Sequence, residues 1–93
     1  MVVAILRVVL FIGYSNSLKT KRMVLASLKT RLRNKFNIAV SEVADQDKWQ
    51  KSTLAVVGVA KDKRYLDRIF SQIINFIENF HQVSIVDYEV ELI

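Results

Sequence analysis

Cysteine is absent from the 93 residues. That excludes disulfides, thiol nucleophiles and thiolate metal sites, and it fits a reducing cytoplasm. Proline is absent too and glycine occurs only twice, so the chain has few places to break a helix or a strand. A single histidine, His81, leaves no pair of imidazoles for a zinc site. No apolar run reaches the roughly 18–20 residues that span a bilayer, so no membrane partner is expected. The longest run, Val2 to Tyr14, is interrupted by Arg7 and lacks a basic leader and a small-residue cleavage site, so it does not read as a signal peptide. The most informative absence is one of charge: no acid occurs before Glu42, whereas eight basic residues do. The formal +5 divides into +8 on residues 1–41 and −3 on the remainder. Such a basic lobe points to a polyanionic partner, most often nucleic acid.

What is present builds one domain over residues 1–93. At 52% hydrophobic and 25% charged the chain is neither disordered nor fibrous. Val2 to Ile12 reads as a strand buried on both faces. Gly13 to Ser17 is a turn cluster ending in Ser17, an N-cap for a helix that starts at Leu18. Leu18, Leu25, Leu28, Leu32 and Phe36 recur at helical spacing, and Asn37 is expected to close that helix in the left-handed conformation. A short strand follows from Asn37 to Val43, then a loop from Ala44 to Lys51. Thr53 to Ala60 is a second strand apolar on both faces. Asp62 caps a helix from Lys63 to Phe80 with one buried stripe, Leu66, Ile69, Phe70, Ile73, Ile77 and Phe80. The last segment alternates, placing Val86, Tyr88, Val90 and Leu92 on a buried face and Asp87, Glu89 and Glu91 on a wet one.

The order β-α-β-β-α-β, with the right-handed crossover rule, gives a ferredoxin-like α+β fold: a four-stranded antiparallel sheet with two helices on one face. The first and third strands are then central. Leu6, Val8, Leu10 and Ile12 lie under the helices. Ile5, Val9 and Phe11, with Arg7 among them, point to the uncovered face, beside either Leu54/Val56 or Ala55/Val57/Val59. An apolar centre on an open sheet face marks a partner or homodimer interface.

Catalytic chemistry finds little to stand on. The only imidazole, His81, lies in the connection before the last strand, where a lone histidine is far more often a solvated or capping residue than a catalyst. No glycine-rich phosphate loop is present, and Glu42, Asp45 and Asp47 read as a solvated turn rather than a cation site. No enzyme activity, cofactor or metal is expected. The acylphosphatase cradle does not match Gly13 to Lys19. The base-stacking mode of RNA-recognition motifs needs aromatics on the third strand, and Thr53 to Ala60 has none. The start of the first helix is the remaining candidate. Lys19, Lys21 and Arg22 sit where the macrodipole is positive, each wrong-signed by about 0.3–1 kcal/mol, a sign that a phosphate would reverse with help from Ser17 and its neighbouring amides. Arg22, Lys29 and Arg33, with Ala26 between them, form a basic ridge about 16 Å long at 1.5 Å rise per residue. Trp49 is expected to fold back and close the core edge; its other use would be to stack a base or anchor a partner with Val9 and Phe11.

The elements Ser17-Leu18-Lys19-Thr20-Lys21-Arg22, Arg31-Leu32-Arg33, Phe36-Asn37 and Asp47-Lys48-Trp49-Gln50, with the ending Asp87-Tyr88-Glu89-Val90-Glu91-Leu92, resemble the YlxP-like family of small bacterial proteins, a domain of unknown function. The resemblance covers essentially the whole chain. It implies a ferredoxin-like fold and, from the genes beside which the family's genes lie, a role linked to the ribosome or ribosomal RNA. It attaches no catalytic role to Ser17, Lys19, Lys21, Arg22, Asp47, Trp49 or Gln50. Asn16 stands where many members have His, which removes an imidazole from that loop.

Overall fold

A run as apolar and β-branched as Val2–Phe11 is best sheltered between two neighbouring strands, in the middle of a sheet. In the computed structural model, which describes residues 1–93, it forms β1 there, flanked on both sides. The elements continue as α1 (Leu18–Lys35), β2 (Ala39–Ala44), β3 (Lys51–Ala60), α2 (Lys63–Glu78) and β4 (Ser84–Leu92). The sheet order is β2-β3-β1-β4 and every pairing is antiparallel. This is the ferredoxin-like arrangement, with β1 and β3 central.

Alternation within β1 decides the layers. Ala4, Leu6, Val8 and Leu10 are buried, as is Ile12 just beyond the strand, and opposite them β3 contributes Leu54 and Val56. The other face carries Ile5, Arg7, Val9 and Phe11, with Ala55, Val57 and Val59 beside them; Leu54 and Val56 therefore belong to the core. Helix α1 adds Val24, Leu25, Leu28 and Leu32, and α2 adds Leu66, Phe70, Ile73 and Ile77. Gly58 lies on the core side of β3, where an added Cβ would come within 2.9 Å of Leu66 Cδ2 and 3.5 Å of Phe70 Cε1. The missing side chain is what lets α2 lie so close to the sheet.

The C-terminal parts of the two helices meet. Phe36 and Phe76 pack edge to face with ring centroids 6.4 Å apart. The Arg31 guanidinium lies over Phe80 at 5.5 Å, and the Lys35 ammonium over Phe76 at 5.2 Å. Helix α2 has no basic residue in its last turn, so these cations of α1 also offset its negative end.

Three expectations are corrected. Helix α1 ends at Phe36 in extended backbone, its N–H donated to Leu32 O, and Asn37 is not left-handed; the only non-glycine residue at positive φ is Asp45. The hydrophobic contact of Phe36 with α2 terminates the helix before a left-handed cap is needed. Strand β3 starts at Lys51 because Lys51 and Ser52 pair with Phe11 and Leu10. Finally, β4 does not alternate strictly. The register with β1 passes from Val9↔Asp87 to Leu10↔Ile85, so Val86 is an extra, bulged residue and Ile85 takes the core side with Tyr88, Val90 and Leu92. Of these only Ile85 packs on the core; Tyr88, Val90 and Leu92 are about half exposed, because no helix covers the far half of this edge strand.

Replacing Gly58 with Ala is expected to destabilise the fold by about 1–3 kcal/mol through overpacking against Leu66. Thermal unfolding checks this, with a fall of about 4–8 °C for each kcal/mol in a domain of this size.

Candidate functional site

Two connections meet at one end of the sheet, residues 12–17 before α1 and residues 45–50 between β2 and β3. Ile12 donates its N–H to Gln50 O at 2.9 Å, and the Gln50 side-chain amide donates to Gly13 O at 2.9 Å. Ser17 caps α1, its hydroxyl oxygen accepting the Thr20 N–H at 3.1 Å. The Phe11 ring folds against Gly13, filling the space a Cβ would take there.

Lys21 joins these loops. Its position continues the stripe Leu18, Leu25, Leu28, Leu32 at helical spacing, so α1 aims its side chain into the protein, and it is 1% exposed. The sheet beneath is polar at that spot. Glu42 pairs with Leu54 and so faces the helices, and buried Ser52 donates its hydroxyl to Glu42 Oε2 at 2.7 Å. The Lys21 ammonium lies 2.9 Å from the same Oε2 and donates to the carbonyls of Asp45 (2.6 Å), Lys48 (2.7 Å) and Lys51 (2.8 Å). Removing an ammonium from water costs several kcal/mol; one carboxylate and three carbonyl oxygens offset it. The same contacts set the loop. Asp45, at φ 64°, accepts the Lys48 N–H on its carbonyl and the Thr53 hydroxyl on its carboxylate. No buried side-chain nitrogen or oxygen lacks a partner.

The other sequence candidates fall into separate groups. Lys21 is removed from the proposed anion cluster, since its three donors are committed to the loop. Lys19, Arg22 and Arg33 are exposed and Lys29 is half-buried, and none of the four has an acidic partner. Trp49 does not close the core edge; with 55% of its surface exposed it stands out from a loop whose flanking carbonyls, those of Lys48 and Lys51, are turned inward to Lys21. Val9 and Phe11 lie on the uncovered sheet face, Phe11 at the loop end together with exposed Tyr14 and Trp49. Arg7, at the centre of that face, forms an ion pair with Glu89 at 2.7 Å. No three acidic or imidazole side chains converge. Glu42 and Asp45 are engaged by Lys21, Ser52 and Thr53, and His81 is exposed without a side-chain hydrogen bond.

The geometry defines a ferredoxin-like module with a pinned loop end and an unneutralised basic helix. Residues 3–90 match the model of a family described as a protein of unknown function (DUF503). The uncharacterized protein YlxP of Bacillus subtilis (strain 168) is 33% identical over 70 residues, which span 75% of this chain and 76% of that protein. The chain belongs to this YlxP-like family. A de novo designed protein, Foldit4, superposes over 100% of this chain and 97% of its own with a TM-score of 0.56 at 11% identity, a likeness of fold alone.

Replacing Lys21 with Met is expected to cost about 3 kcal/mol, because the partly buried Glu42 carboxylate loses its counter-charge and three loop carbonyls lose their donor. Denaturant unfolding measures the loss. Amide exchange in residues 45–51 should accelerate more than exchange in β1.

Proposed function

We propose that this chain is a non-enzymatic cytoplasmic module that associates with RNA, in the setting of ribosomal RNA or the ribosome, through the exposed side of α1. The carrying observation is that Lys19, Arg22, Lys29 and Arg33 project from one helix without an acidic neighbour. An unneutralised cationic row gains most from phosphates, which release condensed counterions on binding. The helix start contributes its positive dipole end, with Ser17 reserved for the cap. Exposed Tyr14 and Trp49 at the adjoining loop end supply faces on which unpaired bases stack. The absence of a catalytic role rests on His81 lying exposed and unpartnered, with no hydroxyl or carboxylate held against it. The lack of cysteine fits the reducing cytoplasm of this reading, and no helix is long and apolar enough to cross a membrane.

Binding should weaken steeply with salt, the double-logarithmic slope being about −3 for four contacts. Changing Lys19 and Arg22 together to Ala should make that slope shallower by about 1.5 at 0.7–0.9 per contact, as read by filter binding to ribosomal RNA and by co-sedimentation with ribosomal subunits. An unchanged slope removes α1 as the contact surface.

A second reading, a homodimer through the open sheet face, is favoured by Ile5, Val9, Phe11, Val57 and Val59, which lie around Arg7 on the side that no helix covers. Light scattering distinguishes it: Phe11→Lys should turn a dimer into a folded monomer.

A further inference from the structure

The sheet order leaves β4 at an edge, bonded to β1 on one side only. Long edge strands are normally blunted by proline, by charged side chains, by a bulge or by a covering element; the charges of β4 are all acidic, so they repel acidic strands but not basic ones. Strand β4 has neither proline nor lysine, its bulge at Val86 lies near its start, and from Asp87 to Leu92 it runs in regular register. Along its outer side the Tyr88 N–H already donates to Asp87 Oδ1 at 2.9 Å; the remaining outward N–H and C=O groups, of Val90 and Leu92 above all, are laid out as a template for one more strand.

Its two faces specify what that strand must carry. On the helix side Tyr88, Val90 and Leu92 are 52%, 47% and 49% exposed, although they continue the row of buried Val8, Leu6 and Ala4. A groove of about 420 Å³ opens there between β4 and α2, lined by Leu6, Phe70, Ile74, Tyr88 and Val90 among others. On the opposite face Asp87, Glu89 and Glu91 form an acidic row, and only Glu89 has a cationic partner, Arg7. An incoming strand would lie about 4.8 Å from β4, its alternate side chains falling beside these two rows.

A second copy of the chain does not satisfy them. Pairing β4 with β4, in either direction, keeps the apolar faces together only by setting acidic row beside acidic row, and like charges directly opposite destabilise a sheet. Charge complementarity instead selects lysine or arginine on the open face and apolar residues on the helix side. We propose that the outer edge of β4 captures an extended segment of another protein in which apolar and basic residues alternate, by addition of a fifth strand to the sheet. The proposal uses no residue of α1 and does not depend on the nucleic-acid reading.

The test uses two end-blocked, dye-labelled ten-residue peptides of identical composition, five Lys and five Val, one strictly alternating and one with the two types in separate blocks. Their binding to the full chain is followed by fluorescence anisotropy at physiological salt, and the bound site by backbone amide shifts. The alternating peptide should bind at least ten-fold more tightly, with shifts concentrated in residues 84–92. The variant Asp87→Lys/Glu91→Lys changes two exposed acids that lack cationic partners, and it should reverse the preference toward an alternating Glu/Val peptide. Equal affinity for the two Lys/Val peptides would mean simple charge attraction and would overturn the proposal. Shifts lying away from β4, or self-association of the free chain that perturbs β4, would overturn it as well.

Discussion

The structure of the loop end depends on one buried ammonium. Lys21 sits at a position of α1 that helical spacing assigns to the core, and a cation there is tolerable only if oxygens surround it. The oxygens come from chain 21 to 30 residues away, a carboxylate of β2 and three carbonyls of the loop and the start of β3. Because those carbonyls converge on a single point, residues 45–51 have little choice of path. Gln50 is thereby set to bond Gly13, and the β1–α1 connection is held by the same interaction. Trp49 projects from a loop whose backbone is tied, so its exposure reflects a fixed presentation rather than a frayed segment.

Charge segregation is the second organising constraint. Of the eight bases in the acid-free first half, seven lie on α1, of which only Lys21 is buried, and one, Arg7, lies on the open sheet face. The acids of the last strand line that same face, where Arg7 meets Glu89 in the middle. The pair is partly exposed, so its energetic contribution is small; what it does is join the acidic row of β4 to the apolar centre of the open face. One small domain thus carries two surfaces of opposite sign, separated by the sheet. A polyanion and a basic strand would not compete for the same side chains.

Most of the fold was legible because hydrophobic period changes cleanly between elements. The two-sided apolar runs marked β1 and β3 as central, and the stripes of α1 and α2 gave their buried faces. The β4 face was misjudged because a bulge is an event of pairing: nothing in Ser84 to Leu92 alone says that Val86 is skipped. The candidate site was legible only in part. The sequence places Lys19 and Arg22 at the helix start and Arg22, Lys29 and Arg33 on a ridge, and it groups Lys21 with the first set by its charge. The signal for its burial was present in its register with Leu18, Leu25, Leu28 and Leu32. Without knowledge of the acid beneath, a lysine on an apolar stripe reads as an intruder rather than as a plug.

The sequence by itself determined the element order, the apolar stripes of α1 and α2, the central place of β1 and β3 and the separation of charge along the chain, because these follow from local periodicity and from residue type. Tertiary structure alone decided that Glu42 and three carbonyls gather around Lys21, that Trp49 faces solvent, and that β4 ends as a half-covered edge. Each of those results depends on which distant segments become neighbours, and the free energy of a buried charge or an uncovered strand is set by those neighbours rather than by the residue itself.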